Sequence, residues 1–247
     1  MELKVVCENA SELSRTDQEA FAMIRRQGFG ASDSSIILGV NPFPDGTINK
    51  LLKQKISPYI TAEELAIGQM VNVRKGADLE PLILQKFTKM FNIDLEDIKK
   101  PDAMYRIGDT PLTVNFDGIL DYANNKLAVE CKFVSLYGSK YYDLTKSVEE
   151  GSYFPADLLK IRDIKDLGSE VNSIYLTERA KECGIPIYYY TQIQQQLLAL
   201  DAPWGYLAAL FDKDWTLRVF TVMADEQVQN KLMEVANKLW TSLQGKN

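Results

Sequence analysis

Residues 114–122 read VNFDGILDY and residues 127–134 read LAVECKFV, and the reading of these two runs decides the fold. Both are rich in β-branched and aromatic residues, and Asp121 to Lys126 between them reads DYANNK, which is turn chemistry. A β-hairpin is predicted. With Asn124-Asn125 in the two loop positions, Asp117 faces Lys132 and Glu130 faces Ile119. Strand alternation then gathers Asp117, Glu130 and Lys132 on one face. The other face collects Val114, Phe116, Leu120 and Tyr122 against Leu127, Val129, Cys131 and Phe133. A slip of one residue would send three charges into that apolar layer, so burial disfavours it. Two carboxylates beside a lysine outline a divalent-cation site. The alternative is a surface hairpin with a cross-strand Asp–Lys pair worth about 0.2–1 kcal/mol.

Composition sets the surroundings of this hairpin. The chain has 247 residues, 46% apolar, with ten Phe, twelve Tyr and three Trp, material for one large core and a single domain over 1–247. Cys7, Cys131 and Cys183 lie far apart with no C-x-x-C spacing, which argues against a disulfide framework, a zinc knuckle or a four-thiolate cluster and suggests a reducing compartment. No basic-then-apolar leader opens the sequence and no apolar run is long enough to span a bilayer, so a cytoplasmic protein, in the host cytoplasm if phage-encoded, is expected. There is no histidine, which excludes histidine general acid–base catalysis, histidine-activated nucleophiles and imidazole metal ligation. Hard oxygen ligands remain, and these favour Mg²⁺ or Mn²⁺ over zinc or copper. The net charge of −6 disfavours a nucleic-acid partner only weakly, because basic groups can be confined to one channel.

Along the chain, Thr16-Asp17-Gln18-Glu19 has the form of a capping box and predicts a helix from about Asp17 to Gln27, with Arg25 and Arg26 in its last turn. Gly28 to Gly39 reads as a glycine-containing turn leading into a short helix capped by Ser32. With Arg26 nearby, that helix start could hold a phosphate, although on this segment alone an ordinary capped helix after a loop is the favoured reading. A further short helix is predicted over Thr47–Ile56, and a long amphipathic one over about Gly68–Asn92, on the spacing of Leu79, Leu82, Ile83, Phe87, Met90 and Phe91. Glu80 lies at the margin of that apolar stripe, where a carboxylate needs a cation to meet. Residues 134–186 read as a loop-rich insertion with short helical patterns such as Ala156 to Arg162. Tyr188–Leu200 predicts a helix with Tyr190, Ile193, Leu197 and Leu200 inward, and its glutamine run would ordinarily make a polar face. Tyr206–Phe211 and Leu217–Val222 form a second hairpin, and Asp225 caps a closing helix carrying Val228, Leu232, Val235 and Leu239 inward. The order is that of an α+β or α/β chain whose helices cover a mixed sheet.

Taken in sequence, Arg26-x-Gly28 with Ser32-Asp33, Glu80-Pro81, Asp117-Gly118, Glu130-x-Lys132 and Tyr190-x-Gln192-x-Gln194 resemble the YqaJ-like viral recombinase family, which includes the phage lambda exonuclease and belongs to the PD-(D/E)xK nuclease superfamily. The resemblance runs from about Arg25 to Leu200 and implies a restriction-endonuclease-like core, a central mixed sheet flanked by helices. It implies that Asp117 and Glu130 ligate metal together with the backbone carbonyl of Cys131 and with Glu80. Lys132 would orient or activate water, Gln192 would support the lysine or substrate, and Arg26 and Ser32 would hold a substrate phosphate. The glycine-to-serine spacing is one residue shorter here than in the lambda exonuclease, which makes the phosphate role of Ser32 less secure than the metal role of Asp117. The implied function is a Mg²⁺-dependent exonuclease, with Mn²⁺ able to substitute, digesting linear duplex DNA from a 5′ end. A single-strand annealing protein is the implied partner and a homo-oligomer, a trimer by analogy, the implied assembly. The alternatives are an endonuclease or single-strand nuclease of the same superfamily, and a non-catalytic DNA- or partner-binding protein that keeps the fold.

Overall fold

A computed structural model describes residues 1–148 and 170–245. The chain opens with β1 (Leu3–Glu8), α1 (Ala10–Thr16), α2 (Gln18–Arg25) and β2 (Phe29–Gly30), followed by a 3₁₀ turn over Ala31–Asp33. Four helices come next, α3 (Ser34–Ile37), α4 (Ile48–Ile56), α5 (Ala62–Gln69) and α6 (Val71–Phe91), and then β3 (Ile98–Lys99), β4 (Ala103–Ile107), β5 (Leu112–Val114), β6 (Gly118–Tyr122) and β7 (Asn125–Val134). After the interval outside the described residues come α7 (Ser173–Cys183), α8 (Ile187–Leu200), β8 (Trp204–Phe211), β9 (Leu217–Met223) and α9 (Glu226–Gln244). The helix expected near Ala156–Arg162 lies outside the described residues, whereas α7 is a full helix within the stretch expected to be loop-rich.

The strands form two mixed sheets, one ordered β1-β4-β5-β2 and the other β3-β6-β7-β8-β9. In the second sheet β7 is central, antiparallel to β6 and parallel to β8. Leu127, Ala128, Val129, Glu130 and Cys131 are all buried, because helices cover both faces of this strand. On one face a Cβ at Gly118 would lie 3.1 Å from Leu84 of α6, and on the other a Cβ at Gly205 would lie 2.8 Å from Leu197 of α8. The apolar face is thus covered by α6, as a core face requires. The charged face is covered too, by α8.

The expected hairpin exists, in a shifted register. Tyr122 pairs with Asn125, Leu120 with Leu127 and Gly118 with Val129, so the loop is Ala123-Asn124 rather than Asn124-Asn125. Both loop residues take positive φ, 47° and 64°, the twist that suits a two-residue hairpin. Placing an alanine there costs roughly 1–2 kcal/mol. Core packing outweighs it, since this register seats Gly118 where Ile98 and Leu84 come too close for any side chain. The shift is two residues, the side-chain period, so the faces survive while Asp117 comes level with Glu130 instead of Lys132. Val114 belongs to β5 in the other sheet, and Asn115-Phe116-Asp117 is the joint between the two sheets.

The glutamines of α8 also depart from expectation, for Gln194, Gln195 and Gln196 are buried. Gln195 Nε2 donates to the carbonyls of Phe29 (3.0 Å) and Thr113 (2.8 Å), clamping the parallel β2–β5 pair from the helix. Gln194 donates to the Met223 carbonyl and accepts from the Asp225 amide. Asp225 itself caps α9 by accepting from Val228 N, as the sequence predicts.

Candidate active site

Glu130 projects from β7 toward α8 with 3% of its side chain exposed. A carboxylate so deeply placed needs partners for both oxygens. Oε1 accepts from Gln192 Nε2 and from the Lys132 ammonium, and Oε2 accepts from Gln196 Nε2 at 2.6 Å. Lys132 stands two residues along the same strand, so alternation alone brings it beside Glu130. Its ammonium also sits 5.3 Å from the centre of the Tyr189 ring. Burial works against the Lys132 charge, but Glu130 and Asp117 outweigh it and hold its pKa above the ordinary lysine value. In the metal-free protein Lys132 therefore carries its charge at neutral pH.

Asp117 sits at the sheet joint with Oδ2 accepting from the backbone N–H of Cys131 at 2.8 Å, which places its carboxylate against the peptide that follows Glu130. Burial, and then the charge of Glu130, push its pKa up to about 8. An acid raised in this way beside a second carboxylate marks a place where a cation is electrostatically favoured. The donor set suits a hard divalent ion, with Asp117, Glu130 and the adjacent Cys131 carbonyl all oxygen ligands. Cys131 offers no thiolate, because burial raises its thiol well above the usual value.

Glu80 of α6 lies on the Asp117 side, 22% exposed, with Oε2 2.6 Å from Lys100 Nζ. It and Asp117 line the same cleft, yet its direct partner here is a lysine. Among the described residues no group of three or more acids, thiols or imidazoles is arranged to hold a metal. The site is thus a carboxylate pair with Glu80 at its margin.

The cleft has a volume of about 970 Å³ and is lined by Glu80, Lys100 and Asp117 and also by Arg25, Ser32 and Lys55. Arg25, exposed at the end of α2, donates to Ser32 Oγ at 3.0 Å. Ser32 does not cap the following helix, for it lies within the 3₁₀ turn, and Asp33 accepts from Gly30 N instead. Arg26 is buried, with its guanidinium 2.7 and 2.9 Å from the two oxygens of Glu64 and a further bond to the Ser57 carbonyl. Of the two arginines, Arg25 is the one that touches Ser32. Lys55 pairs with Asp33 at 2.9 Å, both side chains nearly closed to solvent. Burial opposes the charge on each. Lys55 and Arg25 outweigh it at Asp33, whose carboxyl stays below its usual value, while burial prevails at Lys55, whose ammonium is lowered.

Sequence reasoning missed Gln196, Lys100 and Lys55. Gln196 follows Gln192 by one helical turn, a legible spacing, but a glutamine run reads as solvated until a buried partner is known. Lys100 and Lys55 come from other elements, and only tertiary placement brings them to the cleft.

Residues 20–202 match the family model of the YqaJ-like viral recombinase domain, and the chain belongs to that family. In structure it is similar to LHK-Exo in complex with dAMP, at 11% identity, covering 91% of each chain with a TM-score of 0.56. It is likewise similar to the alkaline exonuclease LHK-Exo from Laribacter hongkongensis, at 11% identity, 90% of each chain and a TM-score of 0.54. No curated protein matches significantly by sequence. The fold is that of PD-(D/E)xK exonucleases, and family and fold together indicate a phage-type nuclease. Among the described residues no helix is long and apolar enough to cross a membrane.

Proposed function

We propose that this nuclease is a Mg²⁺-dependent exonuclease of linear duplex DNA, working from the 5′ end and leaving a single strand for an annealing protein. The observation that carries the reading is the buried Glu130–Lys132 pair beside Asp117, whose carboxylate lines a cleft that is also lined by Arg25, Ser32 and Lys55. LHK-Exo, to which the chain is similar, is an exonuclease seen with dAMP, in keeping with such a cleft taking a nucleotide.

Asp117, Glu130 and the Cys131 carbonyl would hold the metal, with Glu80 joining if it leaves Lys100. When bound, a divalent cation supplies charge neutralisation at the scissile phosphate and a more acidic water. Lys132 contributes a positive charge where negative charge develops, in a site screened from solvent. Held against Glu130, Lys132 would orient or activate the attacking water, whose proton would pass to solvent or to a carboxylate of the site. Gln192 fixes the Glu130 oxygen that Lys132 also holds. In the same cleft, Arg25 and Ser32 are the groups we assign to a terminal phosphate. Arg26 would reach it only by leaving Glu64.

Incubating the purified protein with end-labelled linear duplex and Mg²⁺, beside Glu130→Ala and Lys132→Ala, tests the reading. Nucleotide release by the parent, first from the 5′ label, absent in chelator and strongly reduced in both variants, is expected. No release, or equal release by the variants, overturns it. Closed circular duplex should remain intact, and its cleavage would favour an endonuclease.

A further inference from the structure

Two glutamines of α8 hold Glu130, and they do different things. Gln192 and Gln196 stand one turn apart on the same face, with Gln192 and Lys132 on Oε1 and Gln196 on Oε2. Gln196 is 1% exposed, and its Nε2 also lies 3.2 Å from the carbonyl oxygen of Asn115. Asn115 belongs to the joint between the sheets, two residues before Asp117. A single amide group therefore connects the carboxylate of Glu130 to the backbone segment that carries Asp117.

The same side chain carries a cost that packing alone does not explain. Among the described residues Gln196 Oε1 is buried with no hydrogen-bond partner. An apolar residue of similar volume would spare this oxygen but leave Glu130 Oε2 and the Asn115 carbonyl without their donor, so what the amide contributes here is its nitrogen. Its two acceptors are the groups that set where the two acids stand relative to each other.

We propose that Gln196 is the positioning residue that fixes the spacing of the Asp117–Glu130 pair and thereby its affinity for a divalent cation. The proposal rests on the metal-dependent nuclease reading above. Outer partners that orient ligating carboxylates typically contribute about 10–100-fold to metal affinity, and Gln196 occupies that place for Glu130 Oε2. Gln192, bonded to the other oxygen, is not linked to the Asp117 segment by any such bond among the described residues.

Calorimetric titration of Mn²⁺ into the full chain tests this, using the parent and Gln196→Met, with thermal unfolding of each in chelator. Gln196→Met leaves Glu130 Oε2 and the Asn115 carbonyl without this donor and should unfold somewhat earlier than the parent while still folding. It should bind Mn²⁺ about 10–100-fold more weakly, and the Mg²⁺ needed for half-maximal DNA hydrolysis should rise by a similar factor. Parent-like Mn²⁺ affinity in a folded Gln196→Met overturns the role of Gln196 and leaves the nuclease reading standing. Absence of Mn²⁺ binding by the parent overturns both. Should the methionine variant not fold, Gln196→Asn keeps an amide but withdraws it from Glu130. The same loss of affinity is then expected, and parent-like affinity is again the contrary result.

Discussion

Asp117→Asn should make the metal-free protein more stable while abolishing its activity. The acid is pushed from its ordinary 3.8 up to about 8, by burial and by Glu130. A carboxyl whose folded pKa is raised contributes stability that is fully present below its unfolded pKa and is lost as the pH rises through the folded one. At about 1.4 kcal/mol per unit, the interval from 3.8 to about 8 sets a ceiling of about 6 kcal/mol on that loss. Asp117 is only half-buried by residue, and water and relaxation bring the expected difference to roughly 2–4 kcal/mol. The substituted amide would carry no charge at any pH, and its oxygen could still accept from Cys131 N. In EDTA at pH 8 the variant should therefore melt several degrees above the parent, at about 2–4 °C per kcal/mol for a chain of this size. At pH 4 the two should nearly coincide. Saturating Mn²⁺ should reverse the order, because only the parent gains the binding free energy. Thermal unfolding by circular dichroism at these two pH values, with and without metal, gives all four comparisons. A variant less stable than the parent in EDTA at pH 8, or a difference that does not change with pH, would refute the like-charge reasoning.

The two arginines that line the cleft, Arg25 and Arg26, should separate cleanly. Arg26→Ala leaves Glu64 without its buried bidentate partner and should cost about 3–5 kcal/mol in urea unfolding. Arg25→Ala, at an exposed residue, should leave stability within about 0.5 kcal/mol but erase any preference for 5′-phosphorylated over 5′-hydroxyl ends in a cleavage time course. Lys55→Met strands the Asp33 carboxylate and should cost about 3–5 kcal/mol at neutral pH, most of it recovered by adding Asp33→Asn. Because the Asp33 pKa is lowered in the fold, its contribution should fade as the pH drops below the ordinary carboxylate value, which an acid unfolding series would show. Gly205→Ala places a methyl 2.8 Å from Leu197 and 2.9 Å from the Ala128 carbonyl, forcing α8 off the sheet, and should cost about 1–3 kcal/mol in the same denaturant assay.

Local rules make much of this fold legible. Asp225 caps the helix that its side chain announces, and alternation places Glu130 and Lys132 on one face, whereas Thr16, which opens the capping-box pattern, closes α1 and Asp17 caps α2 in its place. The turn reads one position away from where it lies because two asparagines are better left-handed residues than alanine and asparagine. What decides the register is Gly118 meeting Ile98 and Leu84, contacts from distant elements that no window contains. β1, β3, β4 and β5 escape local patterns as well. β3 is two residues long and β5 three, too short to show alternation, and β1 and β4 are half-exposed or interrupted. In the site, the order of Glu80, Asp117, Glu130, Lys132 and Gln192 is visible from the residues. That Glu80 meets Lys100, and Arg26 meets Glu64, is not, since an ion pair depends on which charges the tertiary fold brings together.

The shared cation site is tested most directly by anomalous diffraction from crystals soaked in Mn²⁺. A peak about 2.0–2.3 Å from a carboxylate oxygen of each of Asp117 and Glu130 is predicted, lost in Glu130→Ala. Density confined to other acids, or none at a concentration that supports nucleotide release, would contradict it.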